Sequence, residues 1–194
     1  MKITQVEAWS VTMPLWEPYT IAYETVTSTT NVFLSLHTNQ NVVGYGCAAP
    51  AEAVTAETAV TALAAIHSIV VPQLRGKDPL RLMKQIESLK EPLRSYPSVL
   101  AAIDMALHDI LGKTAGLPLW KLLGGYRDRI KTSVTMGILP LEESIKLAKE
   151  WVSQDFKCLK IKGGLDVSAD IERVLKIRDS VGNRIELRFD ANQG

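Results

Sequence analysis

The sequence predicts an α+β region followed by a region of alternating strands and helices, in a chain of 194 residues. Up to about residue 50 the chain reads as β-strands, and from there to about residue 116 apolar residues recur at helical spacing. Beyond Gly124 and Gly125, strand-like runs alternate with helical runs in the order β-α-β-α-β, which is typical of a parallel sheet with right-handed crossovers. The predicted domain boundary separates residues 1–125 from residues 126–194.

Composition and charge exclude several classes of protein. The 22 basic and 21 acidic side chains give a net charge of +1, which argues against binding to nucleic acid. A hydrophobic fraction of 46% and a charged fraction of 22% are typical of a globular protein. The sequence shows neither a membrane-spanning run nor a secretory signal, and its two cysteines form no metal-ligand cluster. We therefore expect a reduced, cytoplasmic protein without membrane contact.

The first region begins with predicted strands. Residues 3–13 form a mostly extended run that we expect to end at Pro14, and residues 31–38 and 42–46 predict a hairpin. The segment between them, residues 15–30, is rich in Thr, Tyr and Trp but has no clear period. Two interpretations stay open for it, a surface loop and a binding flap.

Three helices are predicted next. Residues 56–71 form an Ala-rich helix that we expect to end at Pro72, and residues 79–90 form a second helix. The third begins with Ser98 as its N-cap and ends near residue 116. Its buried stripe is expected to contain Ile103, Ala106, Leu107, Ile110 and Leu111.

The second region contains three predicted strands and two predicted helices with short connections. The strands span residues 131–138, 156–162 and 185–190, and the helices span residues 141–154 and 168–180. In the second of these helices, the inward side chains are expected to be Ile171, Val174 and Leu175.

Lys160 and Lys162 are the first candidate functional residues. Side chains alternate along a strand, so both lysines point to one face, and Leu159 and Ile161 point to the other. A parallel strand is normally covered on both faces, where two ammonium groups are costly unless they face a polar cavity or anions. Adjacent ammonium groups also disfavour each other's charge, which makes a lysine usable as a general base.

Asp190 is the second candidate, because it lies at the carboxyl end of the next strand, where parallel α/β folds place active sites. Alone, such an aspartate most often caps a loop. Beside a lysine pair it is better interpreted as a ligand for a hard cation. A cation next to a base is what removal of a proton alpha to a carboxylate requires.

Three segments carry a family resemblance. They are AIDMALHDILGKTAGLPLWKLLGG at residues 102–125, KIK at residues 160–162 and DANQG at residues 190–194. In their order and spacing they resemble the enolase superfamily, in its muconate lactonizing enzyme and mandelate racemase branch. The resemblance implies an α+β capping domain followed by the first strands of a (β/α) TIM-like barrel, incomplete in this chain.

The resemblance also implies a role for each candidate residue. Lys162 would be the general base, and Lys160 would support it and help to neutralise the substrate carboxylate. Asp190 would be the first Mg²⁺ ligand, and Asn192 would have a polar role near the substrate. The implied reaction is a Mg²⁺-dependent isomerisation, in which a proton alpha to a carboxylate is abstracted to give an enediolate intermediate.

Within that branch, residues 18–25 and 132–138 look most like those of dipeptide epimerases. Such enzymes invert the alpha carbon of the second residue in dipeptides such as Ala-Glu. The resemblance assigns Tyr19, Ile21 and Thr135 to substrate binding, with residues 15–30 closing over the site. Muconate cycloisomerases, succinylbenzoate synthases and N-acylamino acid racemases share the framework and remain alternatives.

The chain ends just after the third predicted barrel strand, before the further metal carboxylates and the second catalytic group that the family carries. We therefore expect the 194-residue chain alone to be inactive. Its full-length form would act on a small carboxylate substrate, most simply a dipeptide, as a homo-oligomer. The alternative from another class is a non-catalytic binding or assembly domain.

Overall fold

The computed structural model describes residues 1–20 and 25–191. Contacts divide the chain into two compact units. The first consists of Met1–Met13 and Thr29–Tyr126, and the second consists of Pro14–Ser28 and Arg127–Gly194. The described part of the segment suggested as a flap therefore belongs largely to the same unit as the parallel strands.

The first sheet has three strands in the order β1-β2-β3. They are β1 (Ile3–Thr20), β2 (Thr25–Thr38) and β3 (Val43–Ala48). The predicted hairpin is confirmed, since β2 and β3 pair antiparallel from Val32↔Ala48 to His37↔Val43.

The expectation that residues 15–30 are irregular is wrong, because β1 continues to Thr20 and β2 begins at Thr25. Threonine and aromatic residues favour strands even without an alternating pattern. Pro14 does not end β1, since an edge strand tolerates a residue that has no N–H to donate. The predicted substrate-binding residue Ile21 lies outside the described residues.

Helices follow the first sheet. Their bounds are α1 (Glu52–Thr55), α2 (Ala59–Ala65), a π-helical turn (Ile66–Val70), α3 (Val71–Leu74), α4 (Leu82–Lys90), α5 (Pro97–Ala115) and α6 (Leu119–Leu122). Within residues 1–20 and 25–191, no helix combines the length and the apolar character needed to cross a membrane.

Two of the predicted helix ends are wrong for identifiable reasons. The helical path does not end at Pro72, which is the second residue of α3 and follows directly on the π-helical turn, where the regular hydrogen bonding to residue i−4 is already interrupted. Ser98 is not an N-cap, since α5 already begins at Pro97. The buried Glu57 carboxylate accepts hydrogen bonds from Ser98 N–H at 3.1 Å and Ser98 Oγ at 2.6 Å. Glu57 thus stabilises the positive end of α5 from another segment.

Helix α5 packs on β3 at unusually close range. A β-carbon on Gly44 would lie 2.1 Å from Ala106 O, and one on Gly46 would lie 1.9 Å from Ala102 O. Both glycines are therefore required by the approach of the helix backbone to the strand backbone. The predicted buried stripe of α5 is confirmed for Ile103, Ala106, Leu107 and Ile110, which lie in the core of the first unit. The prediction is wrong for Leu111, which is only partly buried.

The second unit contains a parallel sheet with the order β4-β5-β6. Its elements are β4 (Val134–Met136), α7 (Leu141–Ser153), β5 (Cys158–Lys162), α8 (Val167–Val181) and β6 (Glu186–Asp190). The predicted β-α-β-α-β order is confirmed. In register, Met136 pairs with Ile161, and Ile161 pairs with Phe189.

The two faces of β5 differ as the alternation predicts. Leu159 and Ile161 are buried in one cluster with Ala148 from α7 and Ile177 from α8. The inward face of α8 was only partly predicted. Its buried residues are Asp170, Arg173 and Ile177, and Val174 is partly buried. The prediction is wrong for Ile171 and Leu175, which are 57% and 58% exposed because they lie on the neighbouring stripe of the helix.

Replacing Gly46 by alanine is expected to lower the free energy of unfolding by about 3 kcal/mol, because the added methyl group overlaps the backbone of α5. The gain from stiffening the unfolded chain is too small to offset this overlap. Chemical denaturation of the parent and of Gly46→Ala measures this loss of unfolding free energy. Cys47→Ala, at the adjacent position of β3, serves as the control and should change stability much less; equal losses would contradict the close approach.

Candidate active site

One face of the parallel sheet carries a row of charged side chains. Register pairs Lys160 with Arg188 and Lys162 with Asp190, so these four side chains lie on the face opposite Leu159. Parallel strands end at the same edge of a sheet, and both Lys162 and Asp190 are the last residues of their strands. The pairing therefore brings an ammonium and a carboxylate together at the end of the sheet where parallel α/β proteins place their sites.

Both lysines contact the same carboxylate oxygen. Asp190 Oδ2 is 2.7 Å from Lys160 Nζ and 2.8 Å from Lys162 Nζ. The side chain of Lys162 is 11% exposed, whereas those of Lys160 and Asp190 are 35% and 30% exposed. An ion pair in such partly buried surroundings is screened less by solvent than one on the surface. The site thus holds two positive charges and one negative charge within direct contact of one another.

A second charged cluster lies at the other end of β6. Glu186 accepts hydrogen bonds from Lys131 Nζ at 2.6 Å and from Arg188 Nε at 2.8 Å. These two bonds lower the pKa of Glu186 from 4.5 to about 2, and the bond to Glu186 raises the pKa of Arg188. Burial raises the pKa of the neighbouring Cys158 thiol. This cluster was not predicted, because nothing in the sequence shows that Lys131 comes close to Glu186.

Two of the predicted substrate-binding residues lie near the end of β4. Thr135 is exposed and pairs in register with Lys160. After β4, Ile138 N–H donates to Thr20 O at 3.0 Å, so the end of β1 sits beside this strand. A β-carbon on Gly137 would lie 3.5 Å from Tyr19 Cβ, which places Tyr19 close to the same strand end. Their roles in substrate binding stay predictions, and Asn192 lies outside the described residues.

Asp170, which was not among the predicted site residues, holds the turn after Lys162. Its carboxylate accepts hydrogen bonds from Gly164 N–H at 2.7 Å and Arg173 Nη1 at 2.6 Å, and both charged residues are buried. An Asp-x-x-Arg pair at helical spacing, in the helix that follows Gly163 and Gly164, is the signal that the sequence offers. It is a weak one, because such a pair most often lies on the solvent face of a helix.

Asp190 fits a hard divalent cation as a single ligand. Its carboxylate supplies the oxygen donors that Mg²⁺ prefers, and Mg²⁺ is commonly bound through one or two carboxylates, with water and substrate completing its shell. Within residues 1–20 and 25–191, His, Cys, Asp and Glu side chains form no group of three or more that could hold a metal ion. The remaining ligands of a cation at Asp190 would therefore come from outside these residues.

Comparison with known proteins now defines the family. Residues 3–124 match the model described as mandelate racemase / muconate lactonizing enzyme, N-terminal domain. The chain belongs to the mandelate racemase / muconate lactonizing enzyme family. Residues 143–194 match a second model, described as enolase C-terminal domain-like. The fold expected from the resemblance, a capping domain followed by the start of a barrel, is thereby confirmed.

Members of the mandelate racemase / muconate lactonizing enzyme family that resemble the chain include several epimerases. An L-Lys-D/L-Arg epimerase from Desulforapulum autotrophicum is 43% identical over all of the chain and 55% of its own length. The dipeptide epimerase of Enterococcus faecalis, solved with Mg and the dipeptide L-Leu-L-Tyr, is 38% identical to the chain, with a TM-score of 0.94. The match covers all of the chain and 54% of the length of that epimerase. The L-Ala-D/L-Glu epimerase of Bacillus subtilis, solved with substrate, is 35% identical with a TM-score of 0.94 and the same coverage. The chain spans about half the length of these relatives.

The Glu186 cluster makes the free energy of unfolding depend on pH in the acidic range, where glutamate carboxylates become protonated. Because the pKa of Glu186 in the folded protein lies at about 2, below its ordinary value of 4.5, the cluster stabilises the fold above pH 4.5, and this contribution is lost as pH falls towards 2. Glu186→Gln should therefore be less stable than the parent at pH 7, with a difference that shrinks below pH 4.5. Denaturation curves from pH 7 to pH 2.5 check this, with the exposed Glu172→Gln as control; a constant difference would contradict it.

Proposed function

We propose that the protein is a Mg²⁺-dependent isomerase that abstracts a proton alpha to a carboxylate, and specifically a dipeptide epimerase. The observation that carries the proposal is the contact of Lys160 and Lys162 with one oxygen of Asp190. This arrangement supplies a base, a second cation and an anionic metal ligand within contact distance. Those are the groups that deprotonation of a weak carbon acid requires.

Lys162 is the proposed general base. It is the most buried member of the three-charge group, so a substrate held at this strand end would exclude water from its amine. To accept a proton, Lys162 Nζ must be neutral and turned from Asp190 Oδ2 towards the alpha carbon of the substrate. The transferred proton then stays on Nζ until it exchanges with solvent or returns to the same face, which restores the original configuration. Inversion needs a proton delivered to the opposite face by a second acid, which would come from outside residues 1–194.

Lys160 and Asp190 have complementary proposed roles. The more exposed Lys160 ammonium would pair with the substrate carboxylate and favour the build-up of negative charge there. Asp190 would hold Mg²⁺, which when bound stabilises negative charge on that carboxylate as the proton leaves. In this structure the two lysines neutralise the Asp190 carboxylate.

A dipeptide is the proposed substrate class. Support comes from relatives whose names give dipeptides with acidic, basic and apolar side chains, which share a peptide bond and a terminal carboxylate but no common side chain. Tyr19 and Thr135 lie near the end of β4, where they could contact such a backbone. Because the relatives differ in the side chains of their dipeptides, the side-chain preference of this protein has to be measured on a panel of dipeptides.

Exchange of the alpha proton with D₂O tests the proposal. The full-length protein is incubated with Mg²⁺ and a panel that includes L-Ala-L-Glu, L-Lys-L-Arg and L-Leu-L-Tyr, and deuterium incorporation and epimerisation are followed by NMR. Lys162→Met should lower the epimerisation rate by about a thousandfold, since the general base is lost. Lys176→Met, an exposed lysine on α8, is the matched control and should keep parental activity.

Metal dependence is the second expected result. Removal of divalent cations with EDTA should abolish exchange, and Mg²⁺ should restore it; in Asp190→Asn, restoration should need a much higher Mg²⁺ concentration because one anionic ligand is missing. Equal activity of Lys162→Met and Lys176→Met would overturn the assignment of the base. No exchange on any dipeptide, with a well-folded protein, would instead favour the non-catalytic binding or assembly domain.

A further inference from the structure

The turn between β5 and α8, residues 163–166, follows directly on Lys162 and is held by a buried carboxylate. Asp170 projects from the N-terminal part of α8, and it is one of the few charged residues that are buried. Its Oδ2 accepts a hydrogen bond from Gly164 N–H at 2.7 Å, and its Oδ1 accepts one from Arg173 Nη1 at 2.6 Å. Each oxygen of Asp170 thus has a separate charged or backbone donor.

Gly163 is confined between Asp170 and β6. A β-carbon at this position would lie 2.6 Å from Asp170 Oδ2 and 2.4 Å from Phe189 Cζ, so a larger residue would displace the Asp170 carboxylate, the Phe189 ring or both. On the strand side, Gly163 N–H donates to Asp190 O at 3.1 Å. The two residues that follow Lys162 are therefore held in turn: Gly163 by the backbone carbonyl of Asp190, and Gly164 by the carboxylate of Asp170, which also packs against Gly163.

The partner of Asp170 indicates that this contact is not an ordinary surface pair. Arg173 is buried, and across the described residues its Nε–H finds no hydrogen-bond acceptor. Burying a guanidinium with an unsatisfied donor is costly, and two apolar side chains of similar volume would stabilise the helix at least as well. Helix stability alone therefore does not account for the pair. What an apolar pair could not supply is the acceptor for Gly164 N–H.

We infer that Asp170 is a positioning residue for the reaction proposed above: by fixing Gly163 and Gly164 it sets the position of Lys162 relative to Asp190. Arg173 acts through Asp170: its hydrogen bond holds the Asp170 carboxylate in the orientation that accepts a hydrogen bond from Gly164 N–H. The inference rests on the proposed function for its kinetic consequence, and on the hydrogen bonds of the turn for its structural one. Asp170 itself does not touch the reacting atoms in this account.

Asp170→Ala in the full-length protein is the principal test. It should lower kcat for epimerisation by about 10- to 100-fold with little change in KM, because small misplacement of a catalytic group is costly while substrate binding is retained. Asp170→Asn should recover most of the lost kcat, since its amide oxygen can still accept from Gly164 N–H. Should Asp170→Ala not fold, Asp170→Glu replaces it; this variant keeps a charge for Arg173 but shifts the acceptor, and the same loss of kcat is expected.

Ile177→Ala is the matched control for stability. Ile177 is fully buried on the same helix, two turns from Asp170, so its truncation should lower the melting temperature while leaving the turn after Lys162 in place. If Asp170 had only a structural role, both variants would lose stability and both would keep kcat. Parental kcat in folded Asp170→Ala, or in Asp170→Glu where Ala does not fold, would overturn the inference.

Crystal structures of the same variants separate this inference from the proposed function. In Asp170→Ala, the distance between Lys162 Nζ and Asp190 Oδ2, 2.8 Å in the parent, should exceed 4 Å, and in Ile177→Ala it should not change. This readout needs no turnover, so it remains decisive if the parent shows no exchange on any dipeptide. An unchanged distance in Asp170→Ala would overturn the positioning role even if the parent proves to be an epimerase.

Discussion

The contact of two ammonium groups with one carboxylate oxygen is the interaction on which the second unit depends. Lys160, Lys162 and Asp190 come from adjacent parallel strands, and the pairing Lys162↔Asp190 sets the register of β5 and β6 at their carboxyl ends. A slip of β5 by one residue would turn Lys160 and Lys162 towards the apolar cluster that contains Leu159, and a slip of β6 would do the same to Asp190. The charged row and the apolar core are thus two consequences of one register.

The first unit depends on a different constraint, the short distance between the backbones of α5 and β3. Gly44 and Gly46 allow α5 to lie directly on β3, and Ala102 and Ala106 complete the contact from the helix side. Helix α5 is further held at its start by the Glu57 carboxylate. Small residues on both elements therefore determine where the longest helix lies, and the larger apolar residues fill the volume that remains.

Much of the fold could be predicted from the sequence, because hydrophobic periodicity and turn residues act locally. The β-α-β-α-β order, the hairpin of β2 and β3 and the buried stripe of α5 all follow from such patterns. The extension of β1 through Pro14 could not be predicted in this way, since a proline is tolerated only because β1 is an edge strand, and the order of the strands is not a local property. The inward face of α8 was partly missed because Asp170 and Arg173, which point inward, look like surface residues until their partners are known.

The candidate site shows the same division. The placement of Lys160, Lys162 and Asp190 at one end of a sheet follows from strand alternation and topology alone. Their convergence on a single oxygen and the Lys131–Glu186–Arg188 cluster depend on side-chain reach, which no spacing rule supplies. Residues that hold the backbone of a turn, such as Asp170, are the hardest to identify from a sequence, because no spacing pattern distinguishes them from surface residues.

The confinement of Gly163 also has an evolutionary consequence. Its missing side chain, the ring of Phe189 and the carboxylate of Asp170 occupy a single small volume, so none of the three can change freely while the other two stay as they are. A lineage that acquired a larger residue at position 163 would first need a smaller one at position 189 and a new acceptor for the turn. Substitutions at positions 163, 170 and 189 should therefore be correlated among related sequences.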